Sequence, residues 1–477
     1  MVGDDWQGIY SWRGANIQNI LDFEKDYPDA KVIKLERNYR STQNILDAAY
    51  GVISKNIHRK DKKLWTESQR GHLITSYEAL DESEEARFVA DEILNYKKTN
   101  QCSFSDFVVL YRTNAQSRIL EEVMLGSSIP YRIIGGVKFY QRKEIKDIVG
   151  YLRLIQNFND IVALERIINE PRRNIGKVTL NNWIASAKVA NKDLVNFGLI
   201  ISNSGESSKF KIQNSKIDAI AKFCDFIKRM NGMAGQKNLS DFIEKVFNES
   251  DYAKYLLDGT EEGQMRYENV EELLTVAQKY NDFSPSESLK LFLEEVALAS
   301  DTDNIDQNQD AVHLMTLHSA KGLEFQVVFI VGLEEGILPH ARSLLSQAEM
   351  EEERRLMYVG ITRAKKKVYL LFTSERNIFG STQCNPPSRF LDDIPPHLMR
   401  KSENQNSKSE TVEFIKKRSY ENYQMSTRSY QSGQRIQHEI FGEGLIISTS
   451  GDILTVAFKK TGLKKISSSL APIIKIS

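Results

Sequence analysis

The sequence has little cysteine, no net charge and no long apolar run, and each absence narrows what it can be. Three cysteines in 477 residues, Cys102, Cys224 and Cys384, are too few and too far apart for a disulfide framework or a zinc cluster, which fits a reducing compartment. Lysine plus arginine and aspartate plus glutamate both number 64, so overall charge points neither toward nor away from a polyanion. Any nucleic-acid surface must be a local patch. The first residues, MVGDDWQGIY, are acidic and polar, unlike a secretory signal, and no stretch reaches the length of a membrane span; a cytoplasmic location is expected. There is no G-x-x-x-x-G-K-[ST] phosphate loop, and no Asp-Glu pair closing a strand ahead of Gln7 that could hold magnesium. Internal repeats are absent as well.

What is there is an ordinary globular composition, 41% hydrophobic with a mean hydropathy of −0.42, and length for about three or four domains. Val2 to Asp5 reads as the end of a buried strand that lacks its beginning, as in a fragment. Ile17, Ile20, Leu21 and Phe23 follow at helical spacing. Lys31–Leu35 reads as a strand, and Asn38 to Thr42 as a loop into a helix, with Ser41 or Thr42 as its cap. Ser83–Tyr96 and Gln116–Leu125 read as helices around a buried strand, Phe107–Tyr111; such alternation predicts a parallel α/β sheet. From about Gly135 the pattern becomes all-helical: Ile145–Ile155, Ile161–Asn169, Leu180–Ala190, Lys216–Met230, Leu239–Phe247 and Val270–Lys279. Residues 312–373 return to α/β, with Val368–Phe372 a further strand. Residues 401–433 have the composition of a disordered linker. Alternating apolar positions from Gln434 to Ser477, with turns at Gly442-x-Gly444 and Ser448 to Gly451, predict a small β-barrel.

The stretch Val312 to Leu333, VHLMTLHSAKGLEFQVVFIVGL, organises the rest. Two apolar runs flank a loop that concentrates His318, Ser319, Lys321 and Gly322, with Glu324 just beyond, so a charged ligand is expected there. Lys321-Gly322 is not a phosphate loop, because the glycine at the required offset and the Ser or Thr after the lysine are both missing.

Four stretches together, VGDDWQGIYSWRGA (2–15), LERNYRST (35–42), VHLMTLHSAKGLEF (312–325) and EEERRLMYVGITRAKKKVYL (351–370), resemble in order and wording the C-terminal part of superfamily-1A DNA helicases of the UvrD/PcrA/Rep type. The resemblance covers nearly the whole chain. It implies a remnant of a first RecA-like domain at 1–36 and a second RecA-like domain at 37–134 and 309–400. A helical insertion at 135–308 interrupts the second domain, a linker follows at 401–433, and a Tudor/SH3-like barrel ends the chain at 434–477. It implies ATP with Mg²⁺ as cofactor, the metal ligands and phosphate loop lying outside this sequence, and so negligible ATPase from this chain alone.

By resemblance Gln7 senses the γ-phosphate, Tyr39 stacks on adenine, Arg40 and Arg363 reach the γ-phosphate, and Glu324 positions ATP or its ribose. A fixed guanidinium suits phosphoryl transfer because it stays charged and donates in parallel pairs. Tyr10, Trp12, Arg13, Thr316, His318 and Ser319 would face single-stranded DNA; taken alone, a Tyr and a Trp two apart are more often loop anchors, but on a DNA track they serve as sequence-tolerant stacking platforms. Arg354, Arg355 and Lys365 to Lys367 are expected on a solvated helix face and strand edge. A duplex-touching element, usually Gly-Ile-Gly in the family, stands here as Asn174-Ile175-Gly176, and Trp6 replaces a residue usually acidic or small and polar. The partners implied are single-stranded DNA, single/double-strand junctions and, through the barrel, RNA polymerase, with no membrane. The reading from another class is a non-enzymatic DNA- and polymerase-binding protein derived from a helicase.

Overall fold

The computed structural model describes residues 2–11, 14–204, 214–301, 310–402, 434–438, 442–450, 453–458, 462–467 and 473–476. It divides into two units, Met1–Ser402 and Glu403–Ser477.

The first unit is built on a parallel sheet of β1 (Ile74–Ala79), β2 (Phe107–Tyr111), β3 (Tyr131–Ile134), β4 (Val312–Thr316), β5 (Phe325–Ile330) and β6 (Ala364–Thr373). A short hairpin follows, β7 (Arg376–Ile378) with β8 (Ser381–Gln383), and β9 (Met399–Lys401) joins the sheet edge. The seven strands run in the order β3-β4-β2-β5-β6-β1-β9, and every pairing is parallel.

Successive side chains point to opposite faces, and both faces are buried, which is why the strands read as unbroken apolar runs. Val108, Leu110, Val328, Ile330, Val368 and Leu370 pack under the helices Gln43–Ile53 and Gln347–Ile361. Phe107, Val109, Val327, Phe329, Tyr369 and Leu371 pack under Glu82–Asn100 and Ser117–Gly126 on the other side. The helix Gln347–Ile361 lies so close to the sheet that a Cβ on Gly360 would fall 2.5 Å from Leu317 Cδ2. That contact fixes the turn carrying Thr362 and Arg363.

Between β3 and β4 the described residues are helical, from Lys143–Gln156 through Pro285–Asp301, around a separate core that includes Trp183, Phe242 and Tyr252. Leu194–Ser204 and Pro285–Asp301 are helices the sequence reading did not name. This helical body is tied to the sheet domain by buried polar contacts: Arg118 Nε donates to Glu272 Oε1 at 2.6 Å, and Arg142 Nη2 donates to Ser117 Oγ at 2.8 Å.

Several expectations fail. Val2 to Asp5 is not a strand end; Val2 is exposed and Asp5–Gln7 is a 3₁₀ turn. Lys31–Leu35 forms no strand, because no described strand lies beside it, and Val32, Ile33 and Leu35 stay exposed. Neither Ser41 nor Thr42 caps the helix Gln43–Ile53 with its side chain; Ser41 Oγ instead donates to Ala364 O at 2.7 Å, tying the loop to β6.

The second unit is a five-stranded antiparallel sheet, in the order β13-β12-β11-β10-β14, of β10 (Arg435–His438), β11 (Gly442–Ser450), β12 (Ile453–Phe458), β13 (Gly462–Ser467) and β14 (Ile473–Ile476). Ile436, Ile446, Leu454, Val456 and Phe458 form its core. Gly442-x-Gly444 is no turn but part of β11; a Cβ on Gly444 would meet Val456 Cγ1 at 2.5 Å, so the glycine serves packing. Ser448 to Ser450 likewise continue β11, while Gly451 lies outside the described residues; of the linker expected at 401–433, Lys401 ends β9 and 403–433 lie outside the described residues.

Candidate functional site

The connection from β4 to β5, residues 317–324, runs from the C-terminal edge of the sheet back to its N-terminal edge, because the two strands are parallel. Its two ends therefore belong to two different poles of the domain.

At the C-terminal pole is a cleft of about 650 Å³, bounded by the ends of β2, β3 and β4 and by Gln264, Met265 and Glu268 of the helical body. Tyr10, Thr316, His318 and Ser319, four of the expected DNA contacts, line it together. Thr316 Oγ1 and Ser319 Oγ lie 3.0 Å apart, and Tyr10 donates its hydroxyl to the His318 carbonyl at 3.0 Å. Lys321 Nζ sits 5.3 Å from the Tyr10 ring centre and donates to the Gln7 carbonyl at 2.7 Å, so the loop grips residues 7–10 directly.

The sequence reading missed Arg112, Asn114, His340 and Arg342, which line the same cleft. An "RTN" directly after the apolar run 107–111 was the available signal, since polar residues at the C-terminal ends of parallel strands mark binding sites. Arg112 forks onto Glu353, Nε to Oε1 3.0 Å and Nη2 to Oε1 2.8 Å, and the His340 N–H donates to Glu353 Oε2 at 3.0 Å. Burial works against the charge of Glu353, but Arg112 holds its pKa below the ordinary value. Burial, with Arg112 beside it, pushes His340 down to about 4, so that imidazole is neutral at physiological pH.

At the N-terminal pole, Glu324 immediately precedes β5, Arg363 immediately precedes β6, and Arg40 reaches them from the loop before Gln43. Asn38 Oδ1 accepts from the backbone N–H groups of Arg40 and Ser41, both at 2.9 Å, which shapes the loop that presents Tyr39 and Arg40. Arg40 Nε donates to Glu324 Oε2 at 2.8 Å, and Lys365 Nζ pairs with Glu324 Oε1 at 2.7 Å. Lys365 and then Arg40 hold the Glu324 carboxyl down to about 2.

Arg363 is buried, donating to Val359 O at 3.0 Å, Leu323 O at 3.2 Å and Thr362 Oγ1 at 3.2 Å, all neutral acceptors. Burial first and neighbouring Arg40 second lower its pKa to about 10, so it keeps its charge at neutral pH without a carboxylate partner among the described residues. A buried cation with no direct ion pair among the described residues is the chemistry that a polyphosphate would complete. Tyr39 as a residue is 78% exposed.

Gln7 donates its amide to Asp4 Oδ2 at 2.6 Å. The segment 2–11 is held on the helix Gln347–Ile361: Arg355 Nε donates to Gly8 O at 2.8 Å, and the buried Trp6 ring meets Tyr358 edge-on at 5.5 Å. Trp6 Nε1 also donates to Lys60 O at 3.1 Å. Trp6 is thus an anchor, which accounts for its size. Arg354, Arg355 and Lys365 depart from the expected solvated face, because each has an acceptor across the fold, Asp393, Gly8 O and Glu324; Lys367 is half-buried and donates to the Tyr369 hydroxyl on its own strand, while Lys366 is exposed as expected.

Asn174 and Gly176 lie in the helical body. Asn174 has φ +57°, the left-handed region that Gly adopts freely and Asn tolerates best after it, so Asn can stand where a glycine was expected. Ile175 is buried beneath it, and Gly176 opens the helix Lys177–Val189. Trp12 and Arg13 lie outside the described residues. Among the described residues no group of three or more His, Cys, Asp or Glu side chains could hold a metal ion, and no helix is long and apolar enough to cross a membrane.

Three family models match the chain: UvrD-like helicase C-terminal domain at residues 33–375, UvrD/REP helicase N-terminal domain at 1–28, and PcrA/UvrD tudor domain at 432–475. The chain is 42% identical over 501 residues to the ATP-dependent DNA helicase PcrA of Bacillus subtilis (strain 168). It is 40% identical over 510 residues to that of Leuconostoc citreum and 40% over 495 residues to that of Staphylococcus aureus (strain MRSA252). Each alignment covers 100% of this chain; it spans 66%, 67% and 66% of the three relatives.

Proposed function

The chain belongs to the UvrD-like helicase family, and from that premise we propose that it is the C-terminal part of an ATP-dependent 3′–5′ DNA helicase of DNA repair or replication, acting in the cytoplasm. In this reading residues 37–134 and 309–400 form one RecA-like domain, 135–308 its helical insertion, 1–36 part of the neighbouring RecA-like domain, and 434–477 a Tudor-like docking module. The observation that carries it is the connection 317–324: one short loop has its first residues in the cleft with Tyr10 and its last at the Arg40–Arg363 cluster. Such a loop can pass nucleotide state to a DNA track without any long relay.

Each residue then has a role. Arg40 and Arg363 meet the γ-phosphate, Gln7 reports its presence, Tyr39 takes the adenine, and Glu324 gives up Arg40 and turns to the sugar. ATP with Mg²⁺ supplies the phosphoryl chemistry when bound; this chain supplies cations and shape, and the phosphate-cradling loop and metal ligands belong to a part of the motor outside these residues. Tyr10, Thr316, His318 and Ser319, with Trp12 and Arg13, hold single-stranded DNA, aided by Arg112, Asn114 and Arg342. Asn174 and Gly176 approach the duplex at a junction, and the Tudor-like module engages RNA polymerase.

The test is a purified 477-residue chain assayed for binding of a labelled oligothymidylate and for ATP hydrolysis. It binds the oligonucleotide with strong salt dependence and hydrolyses ATP negligibly. Adding a separate polypeptide with the phosphate-loop region of the Bacillus subtilis relative restores DNA-stimulated hydrolysis, and Arg363→Ala abolishes it. DNA-stimulated hydrolysis by the chain alone, lost in Arg363→Ala, refutes the division of the site; no DNA binding refutes the motor reading.

A further inference from the structure

The face of Tyr39 is backed by a side chain that none of the roles above uses. Arg37 places its guanidinium carbon 4.7 Å from the Tyr39 ring centre and 5.6 Å from that of Trp65. It pairs as well with Glu67, which fixes the far end of the fork. The backbone sets the arrangement: Asn38 N donates to Trp65 O at 2.8 Å, Trp65 N donates to Glu36 O at 3.0 Å, and Arg37 and Trp65 form a parallel β-bridge. Two chain segments far apart in sequence are therefore clamped side by side, with an aromatic, a guanidinium and a second aromatic in succession. The outermost layer, Tyr39, remains 78% exposed.

We infer that Arg37 is a positioning residue for base recognition: it fills one face of Tyr39, with Trp65 behind it, and leaves the other face as a platform for the purine of a nucleotide. This rests on the reading of the Arg40–Arg363 cluster as a polyphosphate site, since Arg40 is the next residue but one after Asn38 and sets the phosphate end. A lone exposed tyrosine is a poor platform, because its ring loses rotamer freedom on stacking. With Arg37, itself held by Glu67, already against the ring's back, part of that freedom is gone before the ligand arrives, and the ordering cost at binding shrinks. The cation behind the ring adds its own attraction to the π face. Stacking of this kind favours large flat bases and makes no hydrogen-bond distinction between them, so adenine and guanine nucleotides should bind alike and pyrimidine nucleotides more weakly.

Saturation-transfer NMR on the full chain with ATP, which detects weak ligands, reads the base protons, while ³¹P line broadening with tripolyphosphate reads the phosphate end. In the wild type saturation reaches adenine H2 and H8, and tripolyphosphate broadens. Arg37→Ala lowers base saturation by roughly two- to fivefold, the range of an exposed cation–π contact, and leaves tripolyphosphate broadening unchanged. Tyr39→Ala abolishes base saturation with the same phosphate result. Base saturation undiminished in Arg37→Ala but lost in Tyr39→Ala overturns the role of Arg37 and leaves the nucleotide reading intact. Neither saturation nor broadening in the wild type overturns both.

Discussion

Arg40 and Glu324, 284 residues apart in sequence, form an ion pair with Nε 2.8 Å from Oε2, and Lys365 holds the other carboxylate oxygen. The pair occupies the guanidinium that a γ-phosphate would need, so Glu324 stands where the ligand competes. Replacing Glu324 by Gln frees both cations. Tripolyphosphate binding to the chain should then strengthen severalfold by ³¹P titration, and unchanged or weaker binding would show that Glu324 does not compete. Because its folded pKa is depressed to about 2, the carboxylate contributes stability above its ordinary value near 4.5 and loses it as pH falls toward 2. The group is largely exposed, so the loss in Glu324→Gln should stay below about 1 kcal/mol.

Trp6 fastens the segment that carries Gln7 and Tyr10. Its ring is 1% exposed and packs against Tyr358, while Lys62 lies over it at 4.3 Å. Truncation to Ala removes local docking energy of about 3–5 kcal/mol, the usual cost of emptying a buried aromatic site. The segment should detach while the sheet persists. Limited proteolysis should then cut within residues 2–11, and oligothymidylate affinity should fall because Tyr10 leaves the His318 carbonyl. Trp6→Phe should behave much closer to wild type. An uncut Trp6→Ala protein with normal DNA affinity would rule out the anchor.

Much of this arrangement is legible in the residues because parallel strands buried on both faces leave unbroken apolar runs: Phe107–Tyr111 is a strand over the very residues read from the sequence. Lys31–Leu35 has the same β-branched character and is no strand, since pattern reports propensity but a strand also needs a neighbour. The edge strand Tyr131–Ile134 went unread because it is four residues long and half-buried. The helix Pro285–Asp301 carried a start signal, Pro at its first position with Ser284 donating to Glu287 at 2.6 Å. In the site, motif wording picked out Arg40, Glu324 and Arg363, but not Arg112, His340 or Arg342. Those converge only once β2 and the turns after β5 are folded beside one another, a proximity that no local pattern encodes. The same holds for the Trp6 contacts with Lys60 and Tyr358 and the Arg37 contacts with Trp65 and Glu67, all more than 25 residues away in the chain.

At Asn174 the backbone, not the side chain, makes the prediction. With φ at +57° and Oδ1 accepting from Arg172 Nε at 2.9 Å, Asn174→Gly should alter stability by less than about 0.5 kcal/mol. Asn174→Val forces a β-branched residue into the left-handed region and should cost about 1–2 kcal/mol. Thermal unfolding of the two variants side by side decides it, and a valine variant as stable as the glycine one would contradict the geometry.

His340 makes the stability of the fold acid-sensitive. Its imidazole is pushed to about 4 by burial and by Arg112, with Arg342 adding to the effect and Glu353 opposing it. Unfolded, the same side chain titrates near 6.5. Between those values the unfolded chain binds a proton that the folded chain refuses. The contribution of His340 is therefore complete above about pH 6.5 and is lost progressively as pH falls toward 4. His340→Gln cannot take up that proton. Urea unfolding at about pH 7 and about pH 5 should show the wild type losing of order 1–2 kcal/mol more than the variant over that interval. Equal losses in the two proteins would mean that His340 is not held neutral by the fold. Single-strand binding by the folded chain should not change with His340 charge across the same interval, because the imidazole stays neutral throughout it.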